Sequence, residues 1–90
     1  MSEERVRIDK WLWHARFYKT RALVQEVAAK GRIRRNDARV VKASVEVKIG
    51  DILTLPRGRE VAVVRVLGCG ERRGPASEAQ LLYEILDDPA

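Results

Sequence analysis

The fold is decided by residues 7–36, which read RIDKWLWHARFYKTRALVQEVAAKGRIRRN. Four apolar side chains in this stretch recur at helical spacing: Ile8, Trp11, Leu12 and Ala15. This spacing predicts a first helix over about residues 8–17 with one buried stripe. Asp9 falls in the first turn, where a carboxylate interacts favourably with the positive end of the helix dipole. Trp13 lies outside the stripe and either packs on a second face or stays partly exposed.

A second helix is predicted over about residues 21–30. Thr20 can accept a hydrogen bond from the first free amides of this helix as its N-terminal cap. Gly31 stands where a left-handed residue closes many helices. Four apolar residues form the buried stripe of this helix: Leu23, Val24, Val27 and Ala28.

A short basic hairpin is predicted directly after Gly31. Arg32 to Arg35 and Arg39 to Val41 read as extended segments. Between them, Asn36-Asp37 is a pair that tolerates the positive φ of a tight turn.

The remainder of the chain predicts two more strands and a third helix. The strands are expected at residues 52–55 and over the β-branched residues 60–67. Ser77 with Gln80 three residues later fits a capping box, which opens a helix. The buried face of this third helix is expected to consist of Leu81, Leu82, Ile85 and Leu86.

These patterns predict an α+β fold in which a two-helix motif packs on a small curled antiparallel sheet and a C-terminal helix closes the structure. A chain of 90 residues can bury only one core, so we expect a single domain. The domain is expected to span residues 5–86, with the core motif at 7–55 and the last strand and helix at 59–86. Flexible ends are expected at residues 1–4 and 87–90.

Positive charge is concentrated in the first half of the sequence. The net charge is +5, but residues 1–42 hold twelve Lys and Arg against five acids, whereas residues 43–90 hold six against eight. A solvated surface of no special function mixes its signs, while this segregation attracts a polyanion. Nucleic acid is the favoured partner, and an anionic membrane surface is the weaker alternative.

Several classes of function are excluded by what the sequence lacks. Cys69 is the single cysteine and His14 the single histidine, so the chain can form neither an internal disulfide nor a metal site built from clustered cysteines or histidines. We interpret His14 as a surface residue and Cys69 as either structural or incidental. Neither a Gly-rich phosphate loop nor a paired general acid and base is present. We therefore expect no enzyme activity, catalytic residue, metal or cofactor.

The cellular compartment follows from two further absences. The first seven residues contain no apolar run of the kind that signal peptides carry, and no stretch approaches the ~20 apolar residues of a membrane span. We expect a cytoplasmic protein without a membrane partner.

Nine cations fall within residues 16–42, opposed only by Glu26 and Asp37. Arginine dominates, and its planar fork engages phosphate with two hydrogen bonds and stacks on unpaired bases. With the cap Thr20, this cluster supplies the predicted RNA-binding residues: Arg16, Lys19, Thr20, Arg21, Lys30, Arg32, Arg34, Arg35 and Arg39. The alternatives are a merely solvated face and, for Thr20, a cap alone. We expect charge reversal of Arg21 or Arg32 to weaken RNA binding without loss of stability.

Several motifs in order resemble the S-four RNA-binding domain, also called the alpha-L motif. They are Arg7-Ile8-Asp9-Lys10-Trp11-Leu12, Thr20-Arg21-Ala22, Gly31-Arg32-Ile33, Asn36 and Gly50-Asp51. The resemblance covers about residues 5–55. It implies two helices packed on a small curled sheet and binding of structured RNA through the second helix and the following hairpin.

A narrower resemblance spans almost the whole chain. Asp9 to Trp13, Ala15 to Arg21 and Arg72 to Tyr83 are similar to the ribosome-associated heat shock protein 15 family. That resemblance implies binding to the ribosomal RNA of free large ribosomal subunits, notably stalled subunits that still carry a nascent chain on transfer RNA, which the family recycles after heat stress. One departure is Asp37, since the family usually has Asn-Gly in the hairpin turn.

The resulting expectation is a monomer that binds structured RNA on the large ribosomal subunit, with transfer RNA and the nascent chain as further candidate contacts. One alternative is a general structured-RNA or DNA binder in regulation or RNA quality control. Another is a protein-interaction adaptor whose acidic partner pairs with an exposed sheet edge.

Overall fold

The structure, a computed structural model, describes the backbone of residues 4–87 and the side chains of residues 4–86. Its elements in chain order are β1 (Arg5–Arg7), α1 (Ile8–His14), α2 (Arg21–Ala29), β2 (Ile33–Arg35), β3 (Ala38–Val40), β4 (Glu46–Lys48), β5 (Ile52–Arg57), β6 (Glu60–Val66), α3 (Ala76–Ala79), a 3-10 turn (Gln80–Leu82) and β7 (Tyr83–Asp87). The predicted flexible ends lie outside the described residues except for Glu4 and Asp87, and Asp87 ends β7. The predicted domain boundaries stay a prediction.

Two antiparallel sheets form the β part of the fold. The larger has five strands in the order β3-β2-β5-β6-β7, and the smaller pairs β1 with β4. In the larger sheet Ile33 lies opposite Val40 and Leu53 lies opposite Val64. These four residues are buried, so one face of the large sheet belongs to the core. The α+β fold class predicted from the sequence is confirmed.

The apolar stripe predicted on the first helix is buried as expected. Ile8, Trp11 and Leu12 are fully buried and Ala15 is nearly so. The indole Nε1 of Trp11 donates a hydrogen bond of 2.7 Å to the carbonyl oxygen of Gly68, which fixes α1 against the loop after β6. Burial of these side chains holds α1 in place, because each large apolar side chain removed from water contributes about 1.5–3 kcal/mol.

Both ends of α2 carry the signals that the sequence predicts. The Thr20 hydroxyl accepts a hydrogen bond of 3.2 Å from the amide of Leu23. At the other end Gly31 has a φ of +70°, and its amide donates to the carbonyl of Ala28 at 2.9 Å. The amide of Arg32 donates to the carbonyl of Val27 at 3.3 Å, which completes a Schellman motif.

The first helix is shorter than predicted. It ends at His14, and Arg16 takes a left-handed conformation with a φ of 64°. This residue turns the chain so that the Phe17 ring packs on Trp11 with ring centroids 6.1 Å apart. The prediction of helix to residue 17 was wrong because this aromatic contact competes with continuation of the helix. Trp13 is partly buried and tilted against His14.

The interpretation of His14 as a surface residue was wrong. Its side chain is 2% exposed, and its Nδ1 lies 3.3 Å from the carbonyl oxygen of Cys69. The loop after β6 folds over the end of α1 and covers the imidazole. This contact joins residues 55 positions apart, so helical periodicity could not indicate it.

The predicted third helix is only partly correct. It spans Ala76–Ala79, has Pro75 as its N-cap residue without a side-chain capping hydrogen bond, and continues as one 3-10 turn. The residues beyond it form β7, in which Ile85 lies opposite Val64 of β6. The chain gains more by pairing with the otherwise open edge of β6 than by extending a solvent-exposed helix. Leu81, expected in a buried face, is 74% exposed.

Among residues 4–87, no helix combines the length and the apolar character that a membrane span requires.

Candidate nucleic-acid interface

The nine residues predicted to bind RNA lie on α2 and the segments that flank it. The connection from α1 to α2 carries Arg16, Lys19 and the cap Thr20, and α2 begins with Arg21. The remaining residues follow the end of α2: Lys30 and Arg32, then Arg34 and Arg35 on β2, and Arg39 on β3. We call β2, β3 and their turn the basic hairpin.

Arg21 is held by a buried carboxylate. Its Nη2 lies 3.3 Å from Oδ2 of Asp9, and Arg7 donates two hydrogen bonds of 3.0 and 3.2 Å to the same carboxylate. The Asp9 side chain is 0% exposed, whereas those of Arg7 and Arg21 are 46% and 40% exposed. Arg21 is therefore not a freely solvated side chain, contrary to the expectation from the sequence.

The ionisation of Asp9 depends on these two arginines. Burial by itself raises the pKa of this carboxyl group, but the hydrogen bonds from Arg7 and Arg21 outweigh burial and bring the pKa below its ordinary value. Asp9 thus stays charged at neutral pH and joins the strand before α1 to the start of α2. The sequence indicated its place in a first turn but not this pairing, since Asp9 and Arg21 are 12 residues apart.

Two other arginines of the predicted set are also tied to the protein. Arg16 donates from Nε to the carbonyl oxygen of Gly74 at 2.6 Å. Arg35 donates from Nη1 to the carbonyl oxygen of Glu46 at 3.0 Å and lies 3.9 Å from Oδ2 of the buried Asp51. Three arginines therefore have contacts that hold the fold together. We call them the anchored arginines: Arg16, Arg21 and Arg35.

The other cations of the cluster have exposed side chains, and within residues 4–86 the structure gives them no hydrogen bond or ion pair. We call them the unpaired cations: Lys19, Lys30, Arg32, Arg34, Arg39 and Lys42. Charged side chains without protein partners keep all their donors available for a ligand.

Arg34 and Arg39 lie directly opposite each other across the basic hairpin. The neighbouring pair, Ile33 and Val40, faces the core, so the two arginines lie on the outer face, because successive residues of a strand point to opposite faces. Like charges placed opposite each other in a sheet are destabilising. This arrangement costs stability in the free protein and suits an anion that neutralises both groups.

Gly31 brings the end of α2 close to this arginine pair. A Cβ atom at Gly31 would lie 3.0 Å from Cδ of Arg39. The absence of a side chain therefore lets the Arg39 stem pass beside the end of the helix. The positive φ of Gly31 and this close approach both favour glycine.

The turn of the basic hairpin is held by Asn36. Asn36 has a φ of 55°, and its Oδ1 accepts a hydrogen bond of 3.0 Å from the amide of Ile52. Its own amide donates to the carbonyl of Ile52 at 2.6 Å. The turn forms although Asp37 replaces the usual glycine, because Asn36 is the residue that takes the left-handed conformation.

Cys69 is buried beside α1, and its thiol contacts the carbonyl oxygen of Glu4 at 3.6 Å. Burial raises the pKa of this thiol, and the nearby charges of Glu4 and Asp51 raise it further. A thiol with a raised pKa has little thiolate at neutral pH, so this environment does not suit a nucleophile.

Comparison with known proteins identifies the family. The family model described as the S4 domain matches residues 6–53, more than half of the chain. Heat shock protein 15 of Escherichia coli K12 is 51% identical over 79 residues, which are 88% of this chain and 59% of that protein. The homolog of Haemophilus influenzae is 42% identical over 84 residues, 93% of this chain and 63% of that protein. This chain thus spans about 60% of the length of these relatives.

A shorter relative matches almost end to end. The RQC P-site tRNA stabilizing factor of Bacillus subtilis is 44% identical over 83 residues, which are 92% of this chain and 94% of that protein. Among solved structures, Vibrio cholerae Heat Shock Protein 15, described as trimeric, superposes with a TM-score of 0.86 at 41% identity and covers 92% of this chain and 83% of that chain. A monomer remains only a prediction for this chain. The chain belongs to the S4 domain family, in the group that contains Heat shock protein 15 and the RQC P-site tRNA stabilizing factors.

Proposed function

We propose that this protein binds structured RNA, and that its target is the ribosomal RNA of the large ribosomal subunit. The observation that carries the proposal is the facing pair of Arg34 and Arg39, which has no acidic partner among residues 4–86. A phosphate between the two guanidinium groups would replace their repulsion with charge-assisted hydrogen bonds.

The other unpaired cations extend this site. Lys30 and Arg32 flank Gly31 at the end of α2, and Lys19 precedes its start. Contacts to phosphates position a protein without reading the sequence of bases. We therefore expect the protein to select RNA by shape and to prefer folded RNA over a random single strand.

The anchored arginines belong to the proposed site as well. Arg21 is 40% exposed and Arg35 is 36% exposed, so each can offer remaining donors to RNA while it keeps its structural contact. Thr20 caps α2 and, in this proposal, also lies against the RNA. These residues differ from Arg34 and Arg39, because replacing Thr20, Arg21 or Arg35 would affect folding as well as RNA binding.

The biological setting is proposed from the names of the relatives. A stabilizing factor for P-site transfer RNA acts where transfer RNA meets the ribosome, and a heat shock protein acts under stress. We infer that this protein supports the recycling of stalled large subunits that carry a nascent chain on transfer RNA, in the cytoplasm. It acts by binding, without an enzymatic step, and transfer RNA would be the second RNA contact.

The proposal is tested by cosedimentation with separated large subunits, small subunits and intact ribosomes across a salt series. We expect preference for the free large subunit, with the logarithm of affinity falling by about 0.7–0.9 per phosphate contact for each log unit of salt. The Arg34→Glu/Arg39→Glu variant should lose this binding. The matched control is Lys10→Glu/Arg59→Glu, which has the same net charge and changes two exposed cations outside the basic hairpin that have no hydrogen bond or ion pair within residues 4–86.

Each outcome distinguishes one interpretation. Equal binding to all three particles would reduce the function to general structured-RNA binding. No binding even at low salt would contradict the RNA proposal and favour a protein partner on a sheet edge. Equal losses in the two double variants would show that total charge, and not the basic hairpin, controls the interaction.

A further inference from the structure

A cleft of about 280 Å³ lies between the α1–α2 connection, the end of β5 and α3. Phe17, Tyr18 and Tyr83 line it together with Arg16 and Arg57. Its volume is near the lower end of the ~300–1,000 Å³ of small-molecule sites, which suits one flat ring system and no larger ligand.

Aromatic rings form much of the wall of the cleft. The Phe17 and Tyr83 ring centroids are 4.6 Å apart and their planes are tilted by 54°. Phe17, Tyr18 and Tyr83 are only partly buried, so part of each ring faces outward. The Tyr18 hydroxyl is 3.5 Å from the carbonyl oxygen of Pro56, a long contact that leaves the hydroxyl available for a stronger hydrogen bond.

Arg16 is held in a fixed position at this cleft. Its backbone is left-handed, with a φ of 64°, a conformation that costs energy in a residue other than glycine and is concentrated at functional sites. The Nε hydrogen bond to Gly74 orients the guanidinium group. Within residues 4–86 its terminal amino groups have no further hydrogen bond. Arg16 thus presents an oriented planar donor to a ligand in the cleft.

The cleft is adjacent to the unpaired cations. Tyr18 lines it and is followed directly by Lys19. Burial raises the pKa of the Tyr18 phenol, and the nearby charge of Arg32 opposes that rise. An RNA strand held by Lys19 would therefore pass the mouth of the cleft.

We propose that the cleft receives one unpaired nucleobase of the RNA that the unpaired cations hold. The aromatic rings would stack on the base, and Arg16, Arg57 and Tyr18 would supply hydrogen bonds to its edge. This inference rests on the proposed RNA-binding function and adds a preference for RNA with an extruded base.

The test uses two RNA hairpins that each contain 2-aminopurine, a fluorescent adenine analogue whose emission is quenched by stacking. In one hairpin the analogue is a single bulged base, and in the other it is paired with uridine. We expect the bulged hairpin to bind about tenfold more tightly, the effect of one stacked base, and its emission to fall on binding. Equal affinities, or emission that rises on binding, would overturn the proposal.

A matched pair of variants assigns the effect to the cleft. Ala76 and Ser77 are neighbouring exposed residues of α3, but only Ala76 lines the cleft. Ala76→Phe should fill the cleft, remove the preference for the bulged hairpin and leave binding of the paired hairpin unchanged. Ser77→Phe should keep the preference. Loss of the preference in both variants, or in neither, would place the base elsewhere.

A second pair controls for charge. Arg57 lines the cleft and Arg59 lies in the same turn but outside it, so Arg57→Ala and Arg59→Ala remove the same charge. A larger loss of bulge preference for Arg57→Ala supports the cleft, and equal losses contradict it. Failure of the RNA-binding proposal would be distinct, because neither hairpin would then bind to the wild-type protein at low salt.

Discussion

Arginines occur in two regions with opposite electrostatic settings. One region is where α1 and α2 begin, and the other is the basic hairpin. At the helix start, Arg7 and Arg21 share the fully buried carboxylate of Asp9. On the basic hairpin, Arg34 faces Arg39, and neither has an acidic partner within residues 4–86. The first arrangement stabilises the fold of the free protein, whereas the second costs stability until an anion binds.

This difference shows that a count of positive charges does not measure a binding surface. Part of the positive charge near α2 stabilises the fold, because Arg7 and Arg21 keep the buried Asp9 carboxylate charged, whereas burial alone would favour its protonated form. The unpaired cations have no such structural role. The two regions can therefore be separated by experiments that measure stability and RNA affinity on the same variants.

The largest expected effect is on stability at the helix start. Arg21→Glu would place a second carboxylate beside buried Asp9 and should lower the free energy of unfolding by about 2–3 kcal/mol. The loss stays below that of a fully unpaired buried charge because Arg7 remains. Urea denaturation would measure it, with Arg32→Glu as the control of equal charge. If both variants unfold at the same urea concentration, Arg21 has no anchoring role.

The next effect is on RNA affinity at the basic hairpin. Arg34→Ala/Arg39→Ala should weaken binding to ribosomal RNA by about tenfold or more and reduce the salt dependence by about two phosphate contacts. Its denaturation midpoint should not fall, since neither side chain has a hydrogen bond or ion pair within residues 4–86. Binding titrations at several salt concentrations would test this. An unchanged salt dependence would mean that the two arginines do not contact phosphates.

A smaller effect concerns pH. The pKa of Asp9 is lower in the folded protein than its ordinary value, so its stabilising contribution is complete above about pH 4 and is lost as the pH falls through the folded pKa. Urea denaturation between pH 7 and pH 2 should show this decline. Asp9→Asn should be less stable at pH 7 and should show a weaker decline, whereas parallel curves for the two proteins would contradict the assignment.

The smallest effect is a gain in stability at the basic hairpin. Arg34→Thr removes the repulsion with Arg39 and introduces a residue that favours strands, so stability should rise by a few tenths of a kcal/mol, up to ~0.5. Added salt should narrow the difference from wild type, because salt screens the repulsion. A variant that is less stable than wild type would show that Arg34 makes a stabilising contact.

The sequence predicted those features that depend on neighbours along the chain. The stripe from Ile8 to Ala15 and the two caps at Thr20 and Gly31 are local patterns, and all of them are confirmed. The apolar residues after Leu81 also fitted a helix, but a short apolar run fits a helix or a strand equally well. Pairing with β6 decided in favour of the strand.

The sequence could not separate anchored from unpaired cations. That separation depends on which acids the packing of α1 and α2 brings close to each arginine, and Asp9 meets Arg21 only in the folded chain. His14 was misjudged for the same reason, since its cover comes from the distant loop at Cys69. Nonlocal contacts thus determine which residues of a predicted site are available to a ligand.

Gly31 joins two properties that mutational studies usually measure separately. Its missing side chain both ends α2 and leaves space for the Arg39 stem. A methyl group at this position would therefore both strain the positive φ at the end of α2 and crowd the Arg39 stem. In a mutational scan that scores abundance and ribosome association independently, substitutions at Gly31 would lower both scores, whereas substitutions at Arg39 would lower the association score alone.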